Sequence, residues 1–388
     1  MAIPISYNIR NLFVRRLATT ITVIGIALVV AVFIAVLALA NGFERALAGN
    51  GIETNAIVLR VPGNDELSSS VSREWVSILQ TQPEVARDTE GRPMIVPELV
   101  VVVNLQKKGT GGVSNILTRG TSPAALDLRP QLKLVAGRMW KSGLPEVVVG
   151  KLLSERFENC GLGEQVTFGG RQWTVVGIFD AGSTSFESEI WGDSEILGPA
   201  FDREGYQSAT IRLKDPAYLD ALKLRVEGDR RMQAVVKRES TYYADQSVQI
   251  ATTIRVLGTF IAIVMAFGAV FGALNTMYAA VSSRRAEIGT MMALGFSRGS
   301  VLLSFVLESL FLCGIGGILG GLLALPINGI STGTTNWATF SEVAFRFTVT
   351  PDMLVDGFLF ALVMGLVGGF FPALNAARAN IARTVRRA

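Results

Sequence analysis

The chain has 388 residues, 49% hydrophobic and 18% charged, with a mean hydropathy of +0.41. That balance is too apolar for an ordinary soluble protein and too polar for a chain lying wholly in a bilayer, so a few spans plus a sizeable water-facing domain are expected. The net charge of +4 is no argument for nucleic acid, because arginines cluster beside the apolar segments, and the lack of any histidine excludes His-based acid–base catalysis and His-ligated metal sites.

Residues 1–17 carry Arg10, Arg15 and Arg16 ahead of an apolar run over residues 18–40. Ala38-Leu39-Ala40 resembles a signal-peptidase site, but the run exceeds the roughly 7–15 residues of a signal-peptide core and has the length of a span. An uncleaved first transmembrane helix is expected, with a cytoplasmic tail before it and the chain that follows outside. Residues 41–247 hold no segment able to span and read as one extracytoplasmic domain. Within it, residues 56–61 and 95–104 read as strands, the second around the run Leu99-Val100-Val101-Val102-Val103. Residues 71–79 between them read as a helix with Trp75, Ile78 and Leu79 on one side. The order recurs as strand 209–213, helix 218–226 after the start signal Asp215-Pro216, and strand 234–238. An α+β domain of two split β-α-β units is expected, with a β-rich subdomain of about residues 115–206 inserted between them. The insertion carries strands 146–150, 165–168 and 172–179, with a turn at Gly169-Gly170.

Little in this domain points to chemistry. The glycine-rich run Lys107-Lys108-Gly109-Thr110-Gly111-Gly112 has the wrong order for a phosphate-binding loop and reads as a plain loop, so ATP is not bound by that route. Glu187 and Glu189 flank Ser188 and read as a solvated edge rather than a catalytic pair. No nucleophile signature occurs. Cys160 and Cys313 lie in segments of different character and read as small buried hydrophobes, without a disulfide. No catalytic residue and no metal site is expected.

Residues 248–281 read as a stalk with Val248, Ile250, Ala251, Ile254 and Leu257 at helical spacing, continuing into a second span over 256–281. Residues 282–300 follow as a basic loop with Arg284, Arg285 and Arg298, placed in the cytoplasm by its charge. Between those charges Ile288, Met291, Met292 and Leu294 recur at near-helical spacing, interrupted by Gly289 and Gly295, as a docking surface would. The third span, 301–325, contains one ionisable residue, Glu308. An ionisable group inside a span suggests function by default, but the favoured reading is a structural ion pair with Arg284, Arg285 or Arg298. Gly316-x-x-x-Gly320, Gly317-x-x-x-Gly321 and, in the fourth span 353–371, Gly365-x-x-x-Gly369 permit close helix packing within or between chains. Residues 326–352 read as an outer loop with Arg346 as its single basic residue, and 372–388 as a cytoplasmic tail with Arg378, Arg383, Arg386 and Arg387. Four spans with both termini inside satisfy every charge placement.

The run Ser283-Arg284-Arg285-Ala286-Glu287-Ile288-Gly289, then Ala293-Leu294-Gly295, Glu308, Pro372-Ala373 and Ala376-Ala377-Arg378 resembles the core of the MacB/FtsX-type ABC transporter permeases. Gly120-Thr121-Ser122-Pro123, Ala136-Gly137-Arg138, Val148-Val149-Gly150, Gly163-Glu164-Gln165-Val166 and Val175-Val176-Gly177-Ile178 are similar to the MacB periplasmic core. The resemblance covers nearly the whole chain, and the combination is specific although each fragment alone is not. It implies a multi-pass protein of the bacterial inner membrane. A cytoplasmic ABC ATPase would dock on a coupling helix made of Arg284, Arg285, Glu287, Ile288, Gly289, Met291, Met292, Leu294 and Gly295. A second permease chain, as homodimer or related heterodimer, a membrane-fusion adaptor and membrane lipid are further implied partners. ATP and magnesium would belong to the ATPase, expected on a separate polypeptide, and none to this chain. The implied function is export of an amphiphile, lipid, peptide or drug by mechanotransmission. The alternatives are lipoprotein release of the LolC/LolE kind and FtsX-like activation of a cell-wall hydrolase.

Overall fold

A computed structural model of the chain describes residues 16–63, 65–336 and 339–378. Arg10, Arg15, Arg383, Arg386 and Arg387 lie outside the described residues. The described residues form two compact units, a helical one within 16–40, 253–329 and 347–378 and a sheet unit within 41–252 and 330–346. In chain order the elements are α1 (Arg16–Ala48), β1 (Asn55–Arg60), α2 (Arg73–Gln80), β2 (Ile95–Gln106), β3 (Val113–Thr121), α3 (Ala125–Leu128), β4 (Lys133–Gly137), β5 (Glu146–Gly150) and α4 (Lys151–Arg156). There follow β6 (Gln165–Phe168), β7 (Arg171–Asp180), β8 (Ile190–Asp193), α5 (Ser194–Ala200), β9 (Ser208–Arg212), α6 (Leu219–Gly228) and β10 (Ala234–Arg238). The chain ends with α7 (Glu239–Ser283), α8 (Arg285–Ala293), α9 (Arg298–Ala324), the hairpin β11 (Ser331–Asn336) and β12 (Ser341–Arg346), and α10 (Pro351–Ala377).

Among the described residues four helices are long and apolar enough to cross a membrane, namely Thr19–Ala48, Glu239–Ser283, Arg298–Ile327 and Pro351–Ala377. Their glycines mark where helix backbones approach. A Cβ on Gly316 would lie 2.8 Å from Ile26 Cγ2, and one on Gly320 2.7 Å from the carbonyl oxygen of Ala27, so this pair faces α1. Gly317 faces α10, where a Cβ would lie 2.9 Å from that of Ala361, and Gly321 faces it more loosely, 3.5 Å from Leu354 Cδ2. From the other side Gly365 would meet Cys313 Cβ at 2.8 Å and Gly369 would meet Ser309. Ser309 Oγ also donates to the carbonyl oxygen of Gly365 at 2.7 Å. These glycines are occupied by contacts within one chain, which van der Waals packing favours where water supplies no hydrophobic drive.

The sheet unit is built on one sheet with the order β10-β1-β9-β2-β3-β8-β5-β7-β4, with β6 on β7. Its first four strands are antiparallel neighbours. α2 is capped by Ser72, whose side chain accepts from the amide of Trp75, and it buries Val76 and Leu79 in a core with Val58, Ile211 and Leu222 from β1, β9 and α6. The strands expected in the inserted region, 146–150, 165–168 and 172–179, are present as β5, β6 and β7. They share a sheet with the rest of the unit through β2, in which Ile95–Glu98 pair with β9 and Leu99–Gln106 pair with β3. The run Lys107–Gly112 is the turn between β2 and β3, closed by the amide of Lys107 donating to the carbonyl of Gly112 at 2.8 Å. Within the region expected as loop, β11 and β12 pair antiparallel in the sheet unit. Glu342 pairs there with Lys107 and Arg156, each at 2.5 Å. Cys160 and Cys313 are both free and buried, and burial pushes the Cys160 thiol up to about 12.

Candidate functional site

α8 is fixed at both ends. At its start Arg284 leaves helical geometry (φ −107°, ψ 16°), so α7 and α8 are separate helices. At its end the amide of Gly295 donates to the carbonyl of Met292 at 3.2 Å and that of Phe296 to Met291 at 3.1 Å. Gly295 takes φ +94°. That is the Schellman arrangement, in which glycine occupies the left-handed position without a Cβ clash. Ser297 then caps α9, its side chain accepting from the amide of Ser300.

Arg284, Ile288 and Met292 recur every four residues and form one stripe. All three are buried, at 7%, 1% and 8% exposure, and Gly289 is buried with them. Ile288 and Met292 belong to a cluster with Met277, Val281, Val301 and Phe305. The expectation that the apolar residues of this segment form a docking surface is therefore corrected. Two of the four are turned into the helical unit, Met291 is half-buried, and Leu294 alone stands out, 70% exposed. The face left to solvent is Arg285, Ala286, Glu287 and Thr290, ending in Leu294 and Gly295. Among the three arginines that could meet Glu308, the geometry selects Arg284. Its Nη1 donates to Oε2 at 2.9 Å and its Nη2 to Oε1 at 3.3 Å, with the guanidinium 5.9 Å from the centre of the Phe305 ring.

A second constellation in the sheet unit escaped the sequence. Glu187 and Glu189, expected as a solvated edge, are 0% and 5% exposed. Glu187 Oε1 accepts the amides of Ala181 and Ser183. Glu189 belongs to a buried ion network. Arg119 on β3 donates to Glu189, Glu66 and Glu98 at 2.9, 2.7 and 3.2 Å. Arg129 donates to Glu98 at 2.6 Å and lies 3.0 Å from Glu239, the first residue of α7. Glu239 Oε2 in turn accepts from Asn55 Nδ2 at 2.7 Å. The Phe186 ring lies 5.4 Å from the Arg119 guanidinium and 5.0 Å from that of Arg129. Flat cations stacked on an aromatic face and forked onto carboxylates are the arrangement that suits arginine and not lysine.

Four carboxylates here share two guanidiniums, and Glu98 titrates in the opposite sense to Glu189 and Glu239. Burial raises the pKa of Glu189 and of Glu239 above 4.5. Burial would raise Glu98 too, but Arg129 and Arg119 on either side outweigh it and hold that carboxyl at about 2. A carboxyl with a raised folded pKa contributes stability that is complete below its unfolded value and is lost as pH rises through the folded one. Glu98 acts in the opposite sense, its contribution being present above 4.5 and lost as pH falls toward about 2. Sheet-unit stability is therefore expected to increase as pH is lowered from neutral toward 4.5, then to decline toward about 2. Urea midpoints across that range check this, and a flat profile on the neutral side would contradict it.

Among the described residues no three or more His, Cys, Asp or Glu side chains are placed so that they could hold a metal ion together. The features assembled so far define a class: a membrane protein with four apolar helices, a large β-rich sheet domain, and a short helix clamped between two of the spans. Residues 19–236 match the MacB-like periplasmic core domain and residues 259–381 the FtsX-like permease C-terminal domain. The chain belongs to the MacB/FtsX-type family of ABC transporter permeases. It is 25% identical over 394 residues to the macrolide export ATP-binding/permease protein MacB of Hahella chejuensis, covering 94% of this chain and 57% of that protein. It is 27% identical over 398 residues to the pyoverdine export ATP-binding/permease protein PvdT of Pseudomonas aeruginosa, covering 95% and 56%. The chain thus spans little more than half the length of these relatives. The extracellular domain of the noncanonic ABC-type transporter YknZ from Gram-positive bacteria is similar with a TM-score of 0.37 and 17% identity, over 47% of this chain and 99% of that one.

Proposed function

We propose that the chain is the permease subunit of a MacB-type ABC transporter in the bacterial inner membrane, with both termini and α8 in the cytoplasm and the sheet domain outside. A separate ATPase subunit docks on α8, and hydrolysis there drives movements of the sheet domain that export an amphiphilic, lipid, peptide or drug-like substrate. A second permease chain and a membrane-fusion adaptor complete the assembly. The sheet domain is two split β-α-β units sharing a sheet with the inserted region; the strand order β10-β1-β9-β2 supports this. Export is favoured over lipoprotein release or hydrolase control because the relatives cited are named for the export of macrolides and of pyoverdine.

The observation that carries the reading is the exposed face of α8, Arg285, Glu287, Thr290 and Leu294, held on a helix whose other face is consumed by the chain's own core. A photo-crosslinking side chain at Thr290 or Leu294 is expected to capture an ABC ATPase in cells, and one at the buried Ile288 is not. Charge reversal at Glu287, or a bulky side chain at Gly289, should reduce the stimulation of that ATPase by the permease while membrane insertion is retained. Labelling of Leu294→Cys from the cell exterior by a membrane-impermeant maleimide would overturn the orientation and with it the proposal. ATP turnover by the purified chain alone would overturn the need for a partner.

A further inference from the structure

We infer that Arg284 and Glu308 are positioning residues for energy coupling: their ion pair is the fixed point through which displacement of α8 is delivered to α9. The inference rests on α8 being the docking site of the ATPase and names the groups that would make that site a lever. Three observations carry it. Glu308 is the single ionisable residue between residues 301 and 325, and it is 4% exposed. Its partner stands at the break between α7 and α8, where a flexible joint would otherwise let α8 swing. The contact is bidentate and braced by the Phe305 ring of the same helix that carries Glu308.

The physical argument concerns direction rather than strength. A buried ion pair contributes little more to stability than apolar side chains of the same volume, because desolvation offsets the attraction. What two parallel N–H···O bonds add is orientation: the planar fork meets the planar carboxylate in one geometry, whereas apolar side chains can slide across one another. Ile288 and Met292 supply the apolar part of the joint, and Arg284 supplies its angle. An α8 held only by apolar packing would let the ATPase's push dissipate as rotation of a nine-residue helix.

The decisive variant is the double replacement Arg284→Met with Glu308→Leu, which keeps the volume and removes both charges of the pair together. Glu308→Gln is the single-site companion. The chain is reconstituted with the ATPase captured by the Thr290 or Leu294 crosslink, and hydrolysis by the complex is compared with that by the ATPase alone. The double variant is expected to be monodisperse, to crosslink the ATPase as efficiently as wild type, and to lose about tenfold of the permease-dependent change in hydrolysis, as expected for a loss of about 1.4 kcal/mol of coupling. Spin labels at Thr290→Cys and Leu303→Cys should report one narrow distance in the otherwise native chain and a broad one in the double variant. Cys160 and Cys313 are buried and do not compete for the label. Wild-type coupling together with a narrow distance in the double variant would overturn the inference, because the pair would then be filler. If no ATPase crosslinks to wild-type α8, the docking proposal fails instead, and the label distances still decide whether the pair sets the angle of α8.

Discussion

Replacing Arg129 with alanine is expected to destabilise the sheet domain by roughly 3–5 kcal/mol, the cost of leaving buried carboxylates without their cation. Arg129 is 0% exposed and serves Glu98, Glu239 and Thr210. After its removal Glu98 retains Arg119 and Thr210, while Glu239 retains only uncharged partners such as Asn55 and the amide of Ile52. The damage should therefore concentrate at Glu239 and loosen the start of α7. Trp191 lies 5.6 Å from the Arg129 guanidinium, so tryptophan emission during urea unfolding of the intact chain in detergent, to which it contributes, follows the change. Arg129→Lys should recover only part of the loss, since one ammonium cannot span both carboxylates. Lowering the pH toward 4.5 should narrow the gap between variant and wild type, because a protonated Glu239 no longer needs a cation. A shift in midpoint equivalent to less than about 1 kcal/mol would mean that the network is not what joins α7 to the sheet.

How much of this was legible in the sequence follows from what each element depends on. β2 could be read because its β-branched run is long and unbroken, and β10 because Val235 and Val236 are adjacent β-branched residues. Asp215-Pro216 announced the turn before α6, and Asp215 does accept from the amide of Ala217 there. β11, Ser-Thr-Gly-Thr-Thr-Asn, contains no apolar residue at all and is a strand only because β12 pairs with it along its whole length. β4 ends in Gly137 and β8 carries Gly192 and Asp193, residue types that are depleted in strands, so neither reads as one from its sequence. The four helices of spanning length were plain from composition, since lipid leaves a long apolar segment no other way to satisfy its backbone.

The candidate site was legible in part for a related reason. Spacing identified the stripe of α8, but spacing cannot tell an inward face from an outward one, and Ile288 and Met292 turned out to point inward. Glu308 could be flagged from its apolar surroundings, yet the arginine it meets, Arg284, is the farthest in sequence of the three candidates, so proximity along the chain does not select it. The network around Arg119 and Arg129 gave a fainter signal, one arginine among the residues of β3 whose neighbours are all buried. Its partners lie 21 to 110 residues away, and nothing local predicts such contacts.

Gly320→Ala is expected to destabilise the helical unit by roughly 1–3 kcal/mol, whereas Gly321→Ala should be neutral or slightly stabilising. The two positions are adjacent on one helix and chemically identical, so helix propensity cancels in the comparison. What differs is the neighbour. A Cβ at Gly320 would meet a backbone carbonyl, that of Ala27, at 2.7 Å, and Val30 Cβ at the same distance. A carbonyl of α1 cannot rotate away, so α1 itself must shift. At Gly321 the nearest atom is Leu354 Cδ2 at 3.5 Å, an ordinary contact. Thermal unfolding of the two variants in one detergent decides the matter, with size-exclusion elution recorded beside it. If these glycines served instead to join two chains, Gly320→Ala would change the elution volume and leave the melting of the monomer unaltered. Helix packing within the chain requires the reverse, an earlier melt at unchanged size, because the carbonyl that a new methyl group would strike belongs to the same polypeptide.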